Sequence, residues 1–192
     1  APVDATHDWL SVTTDGEHAC AIKKNGTAWC WGDNSMGQLG DGTLTTRLRP
    51  VRVTGGHTWR QLSVSWSHTC GITSSGRAYC WGFNTNGQLG DGTATTRRTP
   101  VEVKGGGDWA ALSVGDSHTC GRTRDGRVWC WGDNAWGQLG TGTRTRSRVP
   151  VNGTSMGNWL WFDGGWQHTC GTRSDGGLYC WGASDRGQLG DG

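Results

Sequence analysis

Apolar residues along this chain fall in short bursts, not in long runs. WRQLSV spans residues 59–64, HTCGIT 68–73 and RAYCWG 77–82, and matching bursts return as WAALSV, HTCGRT and RVWCWG at 109–114, 118–123 and 127–132. Glycine, aspartate, asparagine and serine separate them. Bursts of this length with such punctuation read as strands, and none carries the apolar i, i+3, i+4 stripe of a helix. The pattern has a period of 50 residues, with its first cysteine at Cys20, Cys70, Cys120 and Cys170. Three or four short strands per period describe one blade of a β-propeller. The expected fold is therefore all-β, with four blades forming a single repeat domain over residues 1–192 and repeat cores at about 9–50, 59–100, 109–150 and 159–192.

Three further segments, GTLTTRLRPVRV, GTATTRRTPVEV and GTRTRSRVPVNG, either link successive blades or add an outer strand that starts at a proline. The N-terminal strand, residues 1–8, is a candidate to complete the last blade. Four blades can belong to a larger ring, close on themselves, or be completed by a second chain. Self-closure demands wide angles between sheets, which favours the other two arrangements. An open fragment exposes a sheet face and should associate.

Composition agrees with a turn-rich β protein: 35 Gly and 14 Trp stand against only 2 Phe and 2 Tyr. Glycines serve tight turns, and large aromatics fill a core poor in aliphatic residues. A net charge of +2 is too small to point to nucleic acid or an acidic membrane as the main partner, and no apolar run is long enough to span a bilayer. Asn25 and Asn152 begin NGT sequences, glycosylation acceptors in a eukaryotic secretory pathway.

The eight cysteines form pairs ten residues apart, each enclosing a turn with glycine six residues after the first cysteine. A three-residue hairpin loop of this kind, a type I turn closed by a left-handed glycine, places Lys23 opposite Thr27, Ile22 opposite Ala28 and Cys20 opposite Cys30. The expected disulfides are Cys20–Cys30, Cys70–Cys80, Cys120–Cys130 and Cys170–Cys180, which points to a secreted or periplasmic protein. Zinc is the sharpest competitor, through His18, Cys20 and Cys30 and their repeats, but the close cysteine pairs of zinc sites are missing. No metal or cofactor is expected.

The pattern H-[TA]-C-x(5)-G-x(3)-C-W-G-x(4)-G-Q-L-G-x-G, starting at His18, His68, His118 and His168, resembles the regulator of chromosome condensation repeat family. That resemblance implies propellers, often seven-bladed, that bind other proteins and usually perform no acid–base catalysis. It also implies that the loops before H-T-C and the G-x(4)-G-Q turns open on one rim.

Residues present in every repeat serve the repeat. His118 beside Cys120 would suit a nucleophilic pair, but its fourfold recurrence favours a structural histidine bonded to neighbouring backbone. GDNSMGQLGDG has the composition of a calcium loop without its spacing, and Phe83 and Thr141 replace the acids of the first repeat. The linker arginines lack interleaved aromatics, so a nucleic-acid partner is not expected. Unrepeated loop residues carry the expectation of function: Met36, Trp66, Asp116, Trp136, Trp166 and Arg186 form the candidate partner-binding set. The expected protein is a secreted, non-enzymatic interaction scaffold, an inhibitor or adhesion module, with no catalytic residue. A carbohydrate-binding propeller, using exposed Trp beside Asn and Asp, is the alternative, and self-association is a further expectation.

Overall fold

A computed structural model describes Val3 and residues 7–105, 107–153 and 157–192. Its strands form four antiparallel meanders. The first holds β1 (Trp9–Asp15), β2 (His18–Lys23), β3 (Ala28–Gly32) and β4 (Arg47–Arg52). The second holds β5 (Trp59–Val64), β6 (His68–Thr73), β7 (Ala78–Gly82) and β8 (Arg97–Glu102). The third holds β9 (Trp109–Val114), β10 (His118–Thr123), β11 (Val128–Gly132) and β12 (Ser147–Asn152). The last holds β13 (Trp159–Gly164), β14 (His168–Arg173) and β15 (Leu178–Gly182). Strands β1, β5, β9 and β13 meet their counterparts in the adjoining blades, so they line the axis and the later strands run outward.

The central hairpin has the register its turn residues dictate. Gly26 takes a φ of 79° and its N–H donates to the Lys23 carbonyl at 2.8 Å, while Lys23 N–H donates to Thr27. Ile22 then pairs with Ala28 and Cys20 with Cys30. All four expected disulfides are formed, and the chain has no free cysteine.

The linker segments resolve as outer strands of the blades they follow. Pro50, Pro100 and Pro150 fall inside β4, β8 and β12, not at their starts as expected. An outermost strand has a free side, so a missing N–H there need not break the ladder.

The core lies between blades. Cys20, Ile22, Ala28, Cys30, Leu39 and Val53 of the first blade pack on Trp59, Leu62, Val64 and Trp81 of the second, and equivalent residues repeat the contact at the next two interfaces. Trp81 and Trp131 are fully buried, and their indole N–H groups donate to the Gln38 and Gln88 carbonyls of the preceding blade at 2.9 Å. Gly40, with a φ of 68°, has no room for a side chain: a Cβ there would approach Trp81 Nε1 to 2.7 Å. This contact explains the last glycine of the G-Q-L-G run.

The ring is open, so the four blades do not close on themselves. Among the described residues the first and fourth blades do not share a core of the kind that joins neighbours. Among the described residues the fourth sheet has three strands; residues 1, 2 and 4–6 of the expected N-terminal strand lie outside them.

Candidate functional site

The repeated polar residues are consumed in joining blades. His18 Nε2 lies 2.8 Å from Thr69 Oγ1, whose hydroxyl donates to the Gln38 carbonyl at 2.9 Å. His68 with Thr119 and Gln88, and His118 with Thr169 and Gln138, repeat the relay. Because each threonine proton is committed to a carbonyl, each imidazole donates through Nε2. Burial pushes His18 and His118 down to about 4 and His68 to about 3. The partner is a hydroxyl of the next blade, not the neighbouring backbone expected from sequence.

The glycine-rich turns are equally self-contained. Asn34 accepts from Leu39 N–H and donates to the Thr43 and Thr45 carbonyls. Burial opposes the charge on Asp41 and Asp91, but hydrogen bonds from Thr43 and Arg47, and from Thr93 and Arg97, outweigh it and hold both carboxyls below the usual range. Arg47 and Arg97, suggestive of nucleic acid by sequence, thus have acidic partners in their own blades.

Those fixed turns present the variable side chains. Gln38, Gln138 and Gln188 each accept a hydrogen bond from the backbone two residues earlier, at Met36, Trp136 and Arg186. Asp33, Phe83, Asp133 and Ala183 donate their backbone N–H groups to Glu17, Ser67, Ser117 and Gln167, so the turns lie beside the hairpin loops that precede each H-[TA]-C. Both loop sets therefore occupy one rim.

Trp66, Asp116 and Trp166 come together there. A cavity of about 330 Å³ lies between them, bounded also by Asp15, Gly16 and Gly165, so all four blades contribute to it. An adjoining groove of about 280 Å³ adds Met36 and Phe83. Trp136 and Arg186 are exposed but line neither hollow. Asp15 and Phe83 were not among the residues expected from sequence. Their signal was present: repeat positions 15, 65, 115 and 165 read Asp, Ser, Gly and Gly, and Phe83 stands where two other repeats have Asp.

Phe83 also has a local structural cost. Asp33 and Asp133 accept hydrogen bonds from Gln38 and Gln138 Nε2, whereas Gln88 Nε2 is buried without a partner. An unmet buried donor costs about 1–3 kcal/mol.

Models of the regulator of chromosome condensation (RCC1) repeat match residues 13–38, 59–88, 109–138 and 163–188, more than half of the chain. The chain belongs to the RCC1 repeat family. A second model of this repeat matches residues 75–121 and 125–171. Human WBSCR16 superposes with a TM-score of 0.86 at 22% identity, covering 97% of this chain and 50% of that structure. Prp20p from Saccharomyces cerevisiae, a protein with binding properties to Gsp1p and histones, gives 0.82 at 25%, covering 95% of this chain and 46% of its own. Yeast RCC1 (Prp20) in complex with Kap60 gives 0.81 at 23%, covering 95% and 45%. The chain thus spans about half the length of these structures.

Proposed function

We propose that this chain is part of a non-enzymatic interaction scaffold, working outside the cytoplasm, whose rim loops bind a protein partner. Phe83 is the observation that carries the reading. A blade that gives up a repeated hydrogen bond to set an aromatic beside Met36, Trp66 and Trp166 is using that aromatic for something other than stability. Apart from Gln88 Nε2 and the Nδ1 atoms of His18 and His118, the repeated His, Thr, Gln and Asn of the blade junctions and turns are bonded between or within blades, leaving chemistry to the unrepeated rim. The four disulfides support an oxidising compartment. Related propellers described with protein partners support a protein over a small molecule.

The testing experiment compares proteins captured from the native extracellular milieu by the wild type and by Trp66→Ala, Trp166→Ala and Phe83→Asp. One partner should be lost with all three variants, with affinity falling at least about thirtyfold for each Trp variant while melting stays near wild type. Phe83→Asp should melt higher, because Asp restores the acceptor for Gln88. Equal capture by all four proteins overturns the reading. Displacement of the captured partner by free sugars would transfer the rim to carbohydrate recognition.

A further inference from the structure

We infer that the cavity on the propeller axis receives a cationic side chain, a guanidinium or an ammonium, projected from a segment of the protein partner. This rests on the rim being the partner-binding face and adds the chemistry of the group that enters it. Trp66 and Trp166 are 60% and 66% exposed, large values for indoles that share a concave site. Among the described residues neither stacks on another ring or donates a hydrogen bond through its indole. Gly16 of the first blade runs close beside Trp66, since a Cβ there would lie 3.2 Å from the Trp66 Cα. Gly115 and Gly165 also line the hollow; a Cβ at either would collide with the His118 or His168 ring, so the chain can pass there only as glycine.

Two acidic residues line the same space. Asp116 belongs to the third blade and Asp15 to the first, and both line the cavity with the two indoles. Asp116 accepts a hydrogen bond from Ser117 Oγ at 2.9 Å, and neither acid has an ion-pair partner among the described residues. Asp41 and Asp91, by contrast, are already neutralised by Arg47 and Arg97. The cavity is therefore bounded by two acids without ion-pair partners among the described residues and by two exposed indoles.

That combination selects one class of ligand. An indole face attracts a cation through its quadrupole, and a nearby carboxylate supplies the full countercharge. An anion would be repelled. A neutral apolar group would strip water from both carboxylates and return no hydrogen bond. A guanidinium could lie flat on one indole while donating to Asp116, and an ammonium could make the same two contacts as a point charge.

The probes are three blocked tripeptides, acetyl-Gly-Arg-Gly-amide, acetyl-Gly-Lys-Gly-amide and the citrulline analogue of the first, titrated into the 192-residue chain. The indole Nε1–H resonances of Trp66 and Trp166, assigned with Trp66→Phe and Trp166→Phe, give site and affinity together. Both cationic peptides should shift these two signals, and citrulline should bind roughly fivefold or more weakly. Asp116→Asn should weaken the arginine peptide by a similar factor, and raising the salt should weaken it further. Citrulline binding as well as arginine, an unchanged affinity in Asp116→Asn, or indole signals that do not move would each overturn the inference. If the protein partner is still lost in Trp66→Ala and Trp166→Ala while the peptides do not bind, the rim remains an interaction face and only its cationic specificity falls.

Discussion

The covered blade interfaces and the two bare end faces of this protein are built from the same repeat positions, yet they differ in environment. Leu62, Leu112 and Phe162 are 8%, 4% and 8% exposed against the preceding blade, whereas the equivalent Val12 of the first blade is 66% exposed. On the opposite face Ala28, Ala78 and Val128 are 2%, 1% and 0% exposed, and Leu178 of the last blade is 69% exposed. Trp9, Leu10, Val12 and Trp31 bound a hollow of about 450 Å³ on the first face. Its apolar character matches surface that neighbouring blades bury elsewhere, so it reads as an uncovered interface, not a ligand pocket. Burial here comes from having a neighbour, and sequence position within the repeat does not by itself supply one.

Acid should open the covered interfaces with the largest effect. Burial lowers His18, His68 and His118 from 6.5 to about 4, 3 and 4 in the folded chain, so the unfolded chain takes up protons first as pH falls. The histidine contribution is full above pH 6.5 and is lost progressively toward the folded values. From pH 7 to pH 5 unfolding should become easier by about 2 kcal/mol for each histidine. Denaturant titrations at the two pH values measure it, and equal stabilities would contradict neutral buried imidazoles.

Core truncation should separate the two environments next. Trp131→Ala should lose about 3–5 kcal/mol through the cavity it leaves, while Trp31→Ala, at the equivalent but half-buried position, should lose clearly less. Equal losses would show that the first face is covered in solution. Replacing both cysteines of a pair by serine should then cost roughly 2.5–3 kcal/mol by loop entropy. Comparing Cys70–Cys80 with Cys170–Cys180 sharpens the contrast, because any excess at the first pair reports packing against the third blade. The smallest effects should come from Val12→Thr and Leu178→Ser, each within about 0.5 kcal/mol in unfolding. Light scattering should show less self-association in both variants, and unchanged association would mean that the bare faces do not drive it.

Sequence reached the blades because their signals are local. The hairpin turn around Gly26 fixes the cysteine register without help from tertiary contacts, and the repeat period multiplies that signal fourfold. It did not reach the role of His18, because the threonine that meets it lies 51 residues away in the next blade. Pro50 misled for a related reason: its place inside β4 is tolerable only because that strand is outermost, a fact of sheet order. At the rim, Trp66, Asp116 and Trp166 were legible as departures from the repeat, and Met36 joins them in the adjoining groove. Trp136 and Arg186 depart from the repeat as well, but their turns hold them outside the axis hollow. Asp15 departs from the repeat too, but that it bounds the same hollow as Asp116 and Trp166 follows only from the turning of the blades.

The unlike faces of each blade carry a consequence for how such chains change over generations. At the first two junctions one face offers Cys, Ile and Ala and the other offers Trp and Leu, and at the third Val128 and Phe162 take the Ala and Leu places, so every internal junction joins the same two kinds of face. Tandem duplication of a 50-residue unit therefore creates a junction of the kind already present, and deletion removes one without leaving mismatched partners. Blade number is free to drift by whole units, while point changes at the rim alter what each new blade displays.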